Sequence, residues 1–205
     1  MHINLLLPAA LACALAACVS TAGSTSKVAA APADAFLAAI ARHCGQAFAG
    51  RIIANTPKTD APDAFAGKAL VMHVRGCDGP MRQLRIPFYV GDDRSRTWVL
   101  TRTASGLRLK HDHRHADGKP DVQTMYGGDT VQPGTETRQE FPVDAESIAL
   151  FGRTGSLASV TNTWAIEIEP GRRFVYELRR PGGRLFQVEF DLAVPVALPP
   201  PPWGS

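Results

Sequence analysis

The sequence lacks the motifs that would predict a particular reaction. It has no Gly-x-Ser-x-Gly motif for an activated serine, no P-loop and no Gly-x-Gly-x-x-Gly dinucleotide fingerprint. It also has no Cys-x-x-Cys pair and no cysteine and histidine spacing typical of structural zinc. The sequence therefore identifies no enzymatic class and favours a non-catalytic role.

The sequence also lacks a concentration of charge of one sign. Its 22 Lys and Arg residues nearly balance its 19 Asp and Glu residues, and the net charge is +3. The basic residues are spread along the chain, whereas nucleic-acid-binding proteins usually cluster them on one face or helix. We therefore expect an ordinary solvated surface and no nucleic-acid partner.

No segment after the first residues is apolar enough to span a membrane. Residues 5–17 are apolar apart from Pro8, but this run is too short for a spanning helix and is typical of a signal peptide. We predict a signal peptide over residues 1–17, although its first four residues contain no Lys or Arg.

The run Leu15-Ala16-Ala17-Cys18 resembles the lipobox of bacterial lipoproteins. This resemblance implies that Cys18 carries a lipid and becomes the first mature residue. Val19, where an Asp would retain such a protein in the inner membrane, implies an outer-membrane lipoprotein that faces the periplasm. The alternative is an ordinary signal peptide on a secreted or periplasmic protein.

Residues 18–34 are small and polar and contain proline, which predicts a flexible tether. Phe36, Ile40 and Cys44 then recur at helical spacing, and they predict one short helix over residues 35–47 with Asp34 as its N-cap. We expect one domain over residues 35–195, and residues 196–205 form a proline-rich tail that we expect outside the core.

Two of the four cysteines, Cys44 and Cys77, remain after signal removal and lipidation. In an oxidising compartment the simplest use of such a pair is a disulfide, and two separate buried thiols are the alternative.

From Phe48 onward, apolar residues alternate with polar ones and the alternation is broken by turn residues. This pattern predicts about ten short strands without the spacing of β-α-β units. The segments with this pattern include residues 48–54, 70–74, 84–90, 96–103, 107–115, 122–126, 136–142, 146–151, 164–169, 174–178 and 186–192. We predict an all-β fold in which an antiparallel up-and-down meander closes into a barrel, with a two-sheet sandwich as the alternative.

One helix followed by such a meander resembles the calycin group of lipocalin-like and fatty-acid-binding-like barrels, in architecture only. The Gly-x-Trp motif of the lipocalins is absent, and Gly45, Phe48 and Gly50 occupy its neighbourhood. The stretch from His111 to Thr130 is also similar to one in uncharacterised bacterial secreted proteins, a likeness that implies no activity.

Leu107, Leu109, His111, His113 and His115 share one face of a predicted strand. Imidazoles at this spacing could chelate a zinc or copper ion, and Asp121 could add an oxygen ligand. The alternative is that the histidines are polar groups at the wet end of a hairpin. The pair Gly127-Gly128 predicts either a tight turn or bulge or a loop that approaches a ligand closely.

The principal prediction is an envelope lipoprotein that binds a small ligand, of apolar character, inside a barrel. The residues predicted to contact this ligand are the aromatic residues Phe88, Trp98, Tyr126 and Trp164. Two alternatives remain at this point: a metal-binding or metal-dependent protein that uses the histidine strand, and a structural envelope protein with a filled core.

Overall fold

A computed structural model describes residues 1–2, 31–57 and 64–205. The predicted lipid acceptor Cys18, nearly all of the predicted signal peptide and the predicted tether up to residue 30 lie outside the described residues. In the part that is described, neither helix is long and apolar enough to cross a membrane.

The described residues form two α-helices and ten strands. The helices are α1 (Pro32–Ala41) and α2 (Ala145–Arg153), and a short 3₁₀ helix covers Leu157–Thr161. The strands are β1 (Ala47–Thr56), β2 (Leu70–His73), β3 (Gln83–Val90), β4 (Asp93–Arg102), β5 (Leu107–His113), β6 (Tyr126–Asp129), β7 (Arg138–Pro142), β8 (Thr163–Glu169), β9 (Arg173–Arg180) and β10 (Arg184–Val196).

These strands form one antiparallel sheet in the order β6-β5-β4-β3-β2-β1-β10-β9-β8-β7. Consecutive strands pair with each other, except that β6 does not pair with β7. Because β1 also pairs with β10, the meander closes on itself apart from the gap between β6 and β7. The sheet is a nearly closed barrel, which confirms the prediction of an all-β barrel.

Alternation along each strand fills the barrel interior, because every second side chain points inward. The inward rows of the central strands consist of large apolar residues that are almost wholly buried. Among them are Leu84, Ile86, Trp98, Leu100, Leu109, Trp164, Ile166, Phe174, Val188 and Phe190. On the outer face, ion pairs replace apolar contacts, as where Arg138 of β7 contacts Glu177 of β9 at 2.9 Å.

No regular pairing of strands bridges the gap between β6 and β7 in the described residues, but the backbones on its two sides lie close together. The Asp144 N–H donates to the Gly127 carbonyl at 2.9 Å, and a Cβ on Gly128 would lie 1.8 Å from the Pro142 carbonyl oxygen. The Lys110 ammonium adds ion pairs across the gap to Asp144 at 2.8 Å and to Glu146 at 2.9 Å. The two adjacent glycines thus approach neighbouring backbone, which explains why neither carries a side chain.

Helix α1 covers one end of the barrel, which we call the closed end. Phe36, Leu37 and Ile40 of α1 are completely buried, and Asp34 forms an ion pair with Arg102 at the end of β4 at 2.6 Å. The predicted bounds of this helix were wrong: it begins at Pro32, with Ala31 as N-cap, and it ends at Ala41. Proline suits the first helical turn, and the Asp34 carboxylate pairs with Arg102 instead of capping the helix.

The disulfide between Cys44 and Cys77 is present and confirms the prediction. It joins the turn after α1 to the turn between β2 and β3, and its Cα atoms lie 5.9 Å apart. The bond therefore fastens the helical cover to the closed end of the barrel.

The segment 146–151, predicted as a strand, belongs to helix α2. The Asp144 side chain accepts a hydrogen bond from the Ser147 N–H, and Ser147 and Phe151 are buried four residues apart on one helical face. The strand predicted over 122–126 is also displaced, since β6 begins at Tyr126.

The proline-rich tail contacts the body of the protein. The Trp203 N–H donates to the Arg94 carbonyl at 3.1 Å, and Pro202 is buried. The tail is therefore in contact with the barrel through Pro202 and Trp203.

Candidate functional site

The opposite end of the barrel, which we call the open end, contains a cavity of about 160 Å³. The open end is formed by the turns after β3, β5 and β9 and by the described residues 64–69 that precede β2. The cavity is lined by Phe65, Phe88, Arg96, Thr97, Trp98, His111, His113, Tyr126, Tyr176, Leu178, Arg184 and Phe186.

Stacked aromatic rings form the wall of this cavity. The ring of Trp98 stacks on that of Tyr176 at 4.4 Å and on that of Phe88 at 5.0 Å, between centroids. Phe65, in the connection between β1 and β2, extends the stack, because its ring is nearly parallel to that of Phe88 at 6.1 Å between centroids. Such a wall presents flat apolar surface to anything that enters.

His111 lies in the wall of the cavity and is 3% exposed. Its Nδ1 lies 3.1 Å from the Tyr126 carbonyl oxygen, which can only accept, so Nδ1 carries the proton and donates. Its Nε2 then accepts from the Tyr176 hydroxyl at 2.8 Å. Burial, and to a smaller degree the charges of His113 and Lys110, lower the pKa of His111 to about 3, so the ring is neutral.

His113 lies nearer the mouth of the cavity, where its Nε2 is 3.2 Å from the Tyr126 hydroxyl. Burial and the neighbouring Arg96 guanidinium lower the pKa of His113 to about 4. Burial also raises the pKa of Tyr126 to about 12. At neutral pH both groups are uncharged, and both are able to exchange hydrogen bonds with a ligand.

The predicted metal ligands His111, His113, His115 and Asp121 do not converge on one point. Strand β5 ends at His113, and His115 lies in the following turn with 59% of its side chain exposed, 3.7 Å from Asp121. The Nε2 lone pair of His111 that a metal would need is taken by Tyr176. Among the described residues, no group of three His, Cys, Asp or Glu side chains could hold a metal ion. The predicted inward row, which began at Leu107, therefore ends at His113 and does not include His115.

Three arginines surround the mouth of the cavity. Arg96 and Arg184 line it, and Arg180 pairs with Arg184 across the turn between β9 and β10. Each continues the inward row of its strand: Arg96 precedes Trp98, Arg180 follows Leu178, and Arg184 precedes Phe186. The apolar rows of these strands thus end in cations at the open end.

Of the aromatic residues predicted to contact a ligand, Phe88, Trp98 and Tyr126 line the cavity. Trp164 does not: it is 1% exposed and packs behind His111, with ring centroids 5.0 Å apart. Sequence reasoning missed Arg96 and Arg184, although their inward parity was the signal that could have identified them. It also missed Phe65, which lies in no strand and so carries no periodic signal.

A larger depression of about 490 Å³ lies on the outer face of the barrel. Charged side chains line it, and they pair with one another: Arg51 contacts Glu189 at 2.6 Å, and Arg173 contacts Glu189 at 3.8 Å. A ligand there would have to replace these ion pairs and the surrounding water. The smaller cavity at the open end is therefore the better candidate site.

Comparison of the chain with protein-family models, with curated proteins and with solved structures gave no match. The geometry of the open end is therefore the only basis on which a function can be assigned to the described residues.

Proposed function

We propose that the protein binds a small, predominantly apolar ligand with a single ring in the cavity at the open end. The observation that carries this proposal is a partly open cavity of about 160 Å³ walled by stacked aromatic side chains. A cavity of about 150 Å³ holds one benzene molecule, whereas sites for drug-sized ligands span about 300–1,000 Å³.

The packing of the remaining interior supports the same limit on size. Phe174 and Phe190 occupy the centre of the barrel and are completely buried, and their ring centroids lie 6.0 Å apart. A long acyl chain or a multi-ring ligand would need these side chains to move. The proposed ligand therefore occupies the open end alone.

Calorimetric titration with a neutral single-ring probe, benzamide, tests the proposal. We expect saturable binding with a Kd of about 0.1–1 mM, as befits a ligand of about nine non-hydrogen atoms. Leu178 lines the cavity, so Leu178→Phe should fill it and abolish binding. The matched control is Leu157→Phe, at a leucine of the 3₁₀ helix that is 66% exposed, and it should bind as the unaltered protein does. Absence of saturable binding, or equal binding by Leu178→Phe, would contradict the proposal.

We further propose that the binding domain is held at the bacterial outer membrane by a lipid on Cys18. The support is the lipobox-like sequence Leu15 to Cys18, which lies outside the described residues. Replacement of Cys18 by Ser should block maturation, so that the protein is either released or stranded with its signal peptide uncleaved. Normal processing together with membrane association of that variant would reject the lipid anchor.

A further inference from the structure

We infer that the ligand of the open-end cavity is a single-ring aromatic carboxylate whose carboxylate binds Arg184 and Arg96 at the mouth. This inference rests on the proposed function and specifies the chemical class of its ligand. It follows from the size of the cavity, the position of the arginines and the balance of charge around them.

The size of the cavity determines where a polar group of the ligand must lie. One ring fills about 150 Å³, so a substituent on that ring cannot also be enclosed in a cavity of about 160 Å³. Among the described residues, the inner part of the lining contains no cationic side chain: it offers the rings of Trp98 and Phe88 and the neutral His111, whose two nitrogens already have partners. A substituent must therefore point to the mouth, where Arg96 and Arg184 line the cavity.

The charges at the mouth favour an anion. Within the described ranges, the cavity lining contains two arginines and no Asp or Glu. Arg184 donates to the side-chain oxygen of Asn55 at 2.6 Å and to the Thr56 carbonyl at 3.2 Å, which are neutral acceptors. Among the described residues, no carboxylate lies within ion-pair distance of Arg184. The other arginine of the lining, Arg96, does have such a partner, the carboxylate of Asp93.

The neighbouring arginine shows the same excess of positive charge. Arg180 donates to the side-chain oxygen of Asn162 at 2.6 Å, again a neutral acceptor. Burial, together with the charge of Arg184, lowers the pKa of Arg180 below its usual range. Asp121, a further carboxylate near His113, lies 3.7 Å from His115 on the exposed turn. A ligand carboxylate at the mouth would reduce the electrostatic repulsion between Arg180 and Arg184.

The shape of the arginine groups favours a carboxylate in particular. A guanidinium binds a planar carboxylate through parallel hydrogen bonds, and such charge-assisted bonds are stronger than neutral ones. The two guanidiniums are held near aromatic faces: the Arg184 Cζ lies 5.7 Å from the Phe186 ring and the Arg96 Cζ 6.0 Å from the Phe65 ring. Each is thereby positioned beside the apolar wall that would hold the ring.

Benzoate and benzamide form the matched pair of probes, since they share the ring and differ in charge. We expect the unaltered protein to bind benzoate at least about tenfold more tightly than benzamide, because a hydrogen-bonded charge pair contributes that much. Arg184→Gln should remove most of this preference and change the affinity for benzamide less than about threefold. Arg184→Lys, which keeps the charge but not the fork, should retain part of the preference.

Arg82→Gln is the control for net charge. Arg82 is exposed in the turn between β2 and β3 at the closed end, so its replacement should leave both affinities unchanged. Equal binding of benzoate and benzamide by the unaltered protein would overturn the inference and leave the proposed function standing. The same holds if Arg184→Gln, folded as judged by its thermal transition, keeps the full preference for benzoate. Failure of both probes to bind would overturn the proposed function and the inference together.

Discussion

The two ends of the barrel differ in the partners that they provide for arginine side chains. At the closed end, Arg102 ends the inward row of β4 and is neutralised by Asp34 of α1, and apolar side chains of the helix fill the space behind it. At the open end, Arg180 and Arg184 have amide and carbonyl partners, and a cavity remains behind Arg184. The charge of Arg102 is therefore balanced within the protein, whereas Arg184 has only neutral partners among the described residues and is the principal arginine of the proposed anion site.

A cavity mutation at each end gives the largest expected contrast. Phe36 of α1 is completely buried, so Phe36→Ala should lower the free energy of unfolding by about 3–5 kcal/mol, as measured by chemical denaturation. It should leave the affinity for benzamide unchanged, because Phe36 lies at the other end of the barrel.

Phe65→Ala is the matched change at the open end. Phe65 is only partly buried, so we expect a smaller loss of stability together with weaker binding of benzamide. Loss of ring binding in Phe36→Ala but not in Phe65→Ala would reverse the assignment of the two ends.

The disulfide gives the next largest effect, again at the closed end. Cys44 and Cys77 are 33 residues apart, and a loop of this length contributes about 3–4 kcal/mol by the chain-entropy relation. The double variant Cys44→Ser/Cys77→Ser should lose about that much stability and should bind benzamide normally once folded. A loss of ring affinity in the folded variant would show that the two ends are coupled.

The predictability of these features from sequence depended on how local each one is. Alternation within β3, β8, β9 and β10 predicted those strands because each buries one face, and the Cys44–Cys77 pair followed from counting. Helix α2 was missed because Ile148 and Leu150 imitate alternation, although the Asp144 cap was available as a helix signal. No local pattern gives the pairing of β1 with β10, which joins the two ends of the domain.

The candidate site was predictable only in part, for the same reason. The inward parity of Phe88, Trp98 and His111 could be read from each strand alone. The volume left between them depends on how distant side chains such as Phe174 and Phe190 pack. His115 does not continue the inward row of the histidine strand, because β5 ends at His113 and His115 lies in the following turn.

The last prediction concerns acid stability, which the open end should limit because its histidines are buried as neutral rings. The pKa of His111 is about 3 in the folded protein and about 6.5 in an unfolded chain, so between these values the unfolded state binds the extra proton. Stability is therefore complete above pH 6.5 and falls as the pH drops toward 3. Between pH 7 and pH 5, protonation of His111 on unfolding should lower the free energy of unfolding by about 2 kcal/mol. The carboxylates, whose unfolded pKa values lie near 4, should contribute little in this range.

His111→Gln retains a donor and an acceptor, so it should lower stability at pH 7 yet reduce this loss between pH 7 and pH 5 by about 2 kcal/mol. Urea denaturation of both proteins at pH 7 and at pH 5 measures this loss of stability. His115→Gln is the control, since His115 is exposed and its replacement should leave the pH dependence intact. An equal loss in His111→Gln and the unaltered protein would mean that His111 does not govern acid stability.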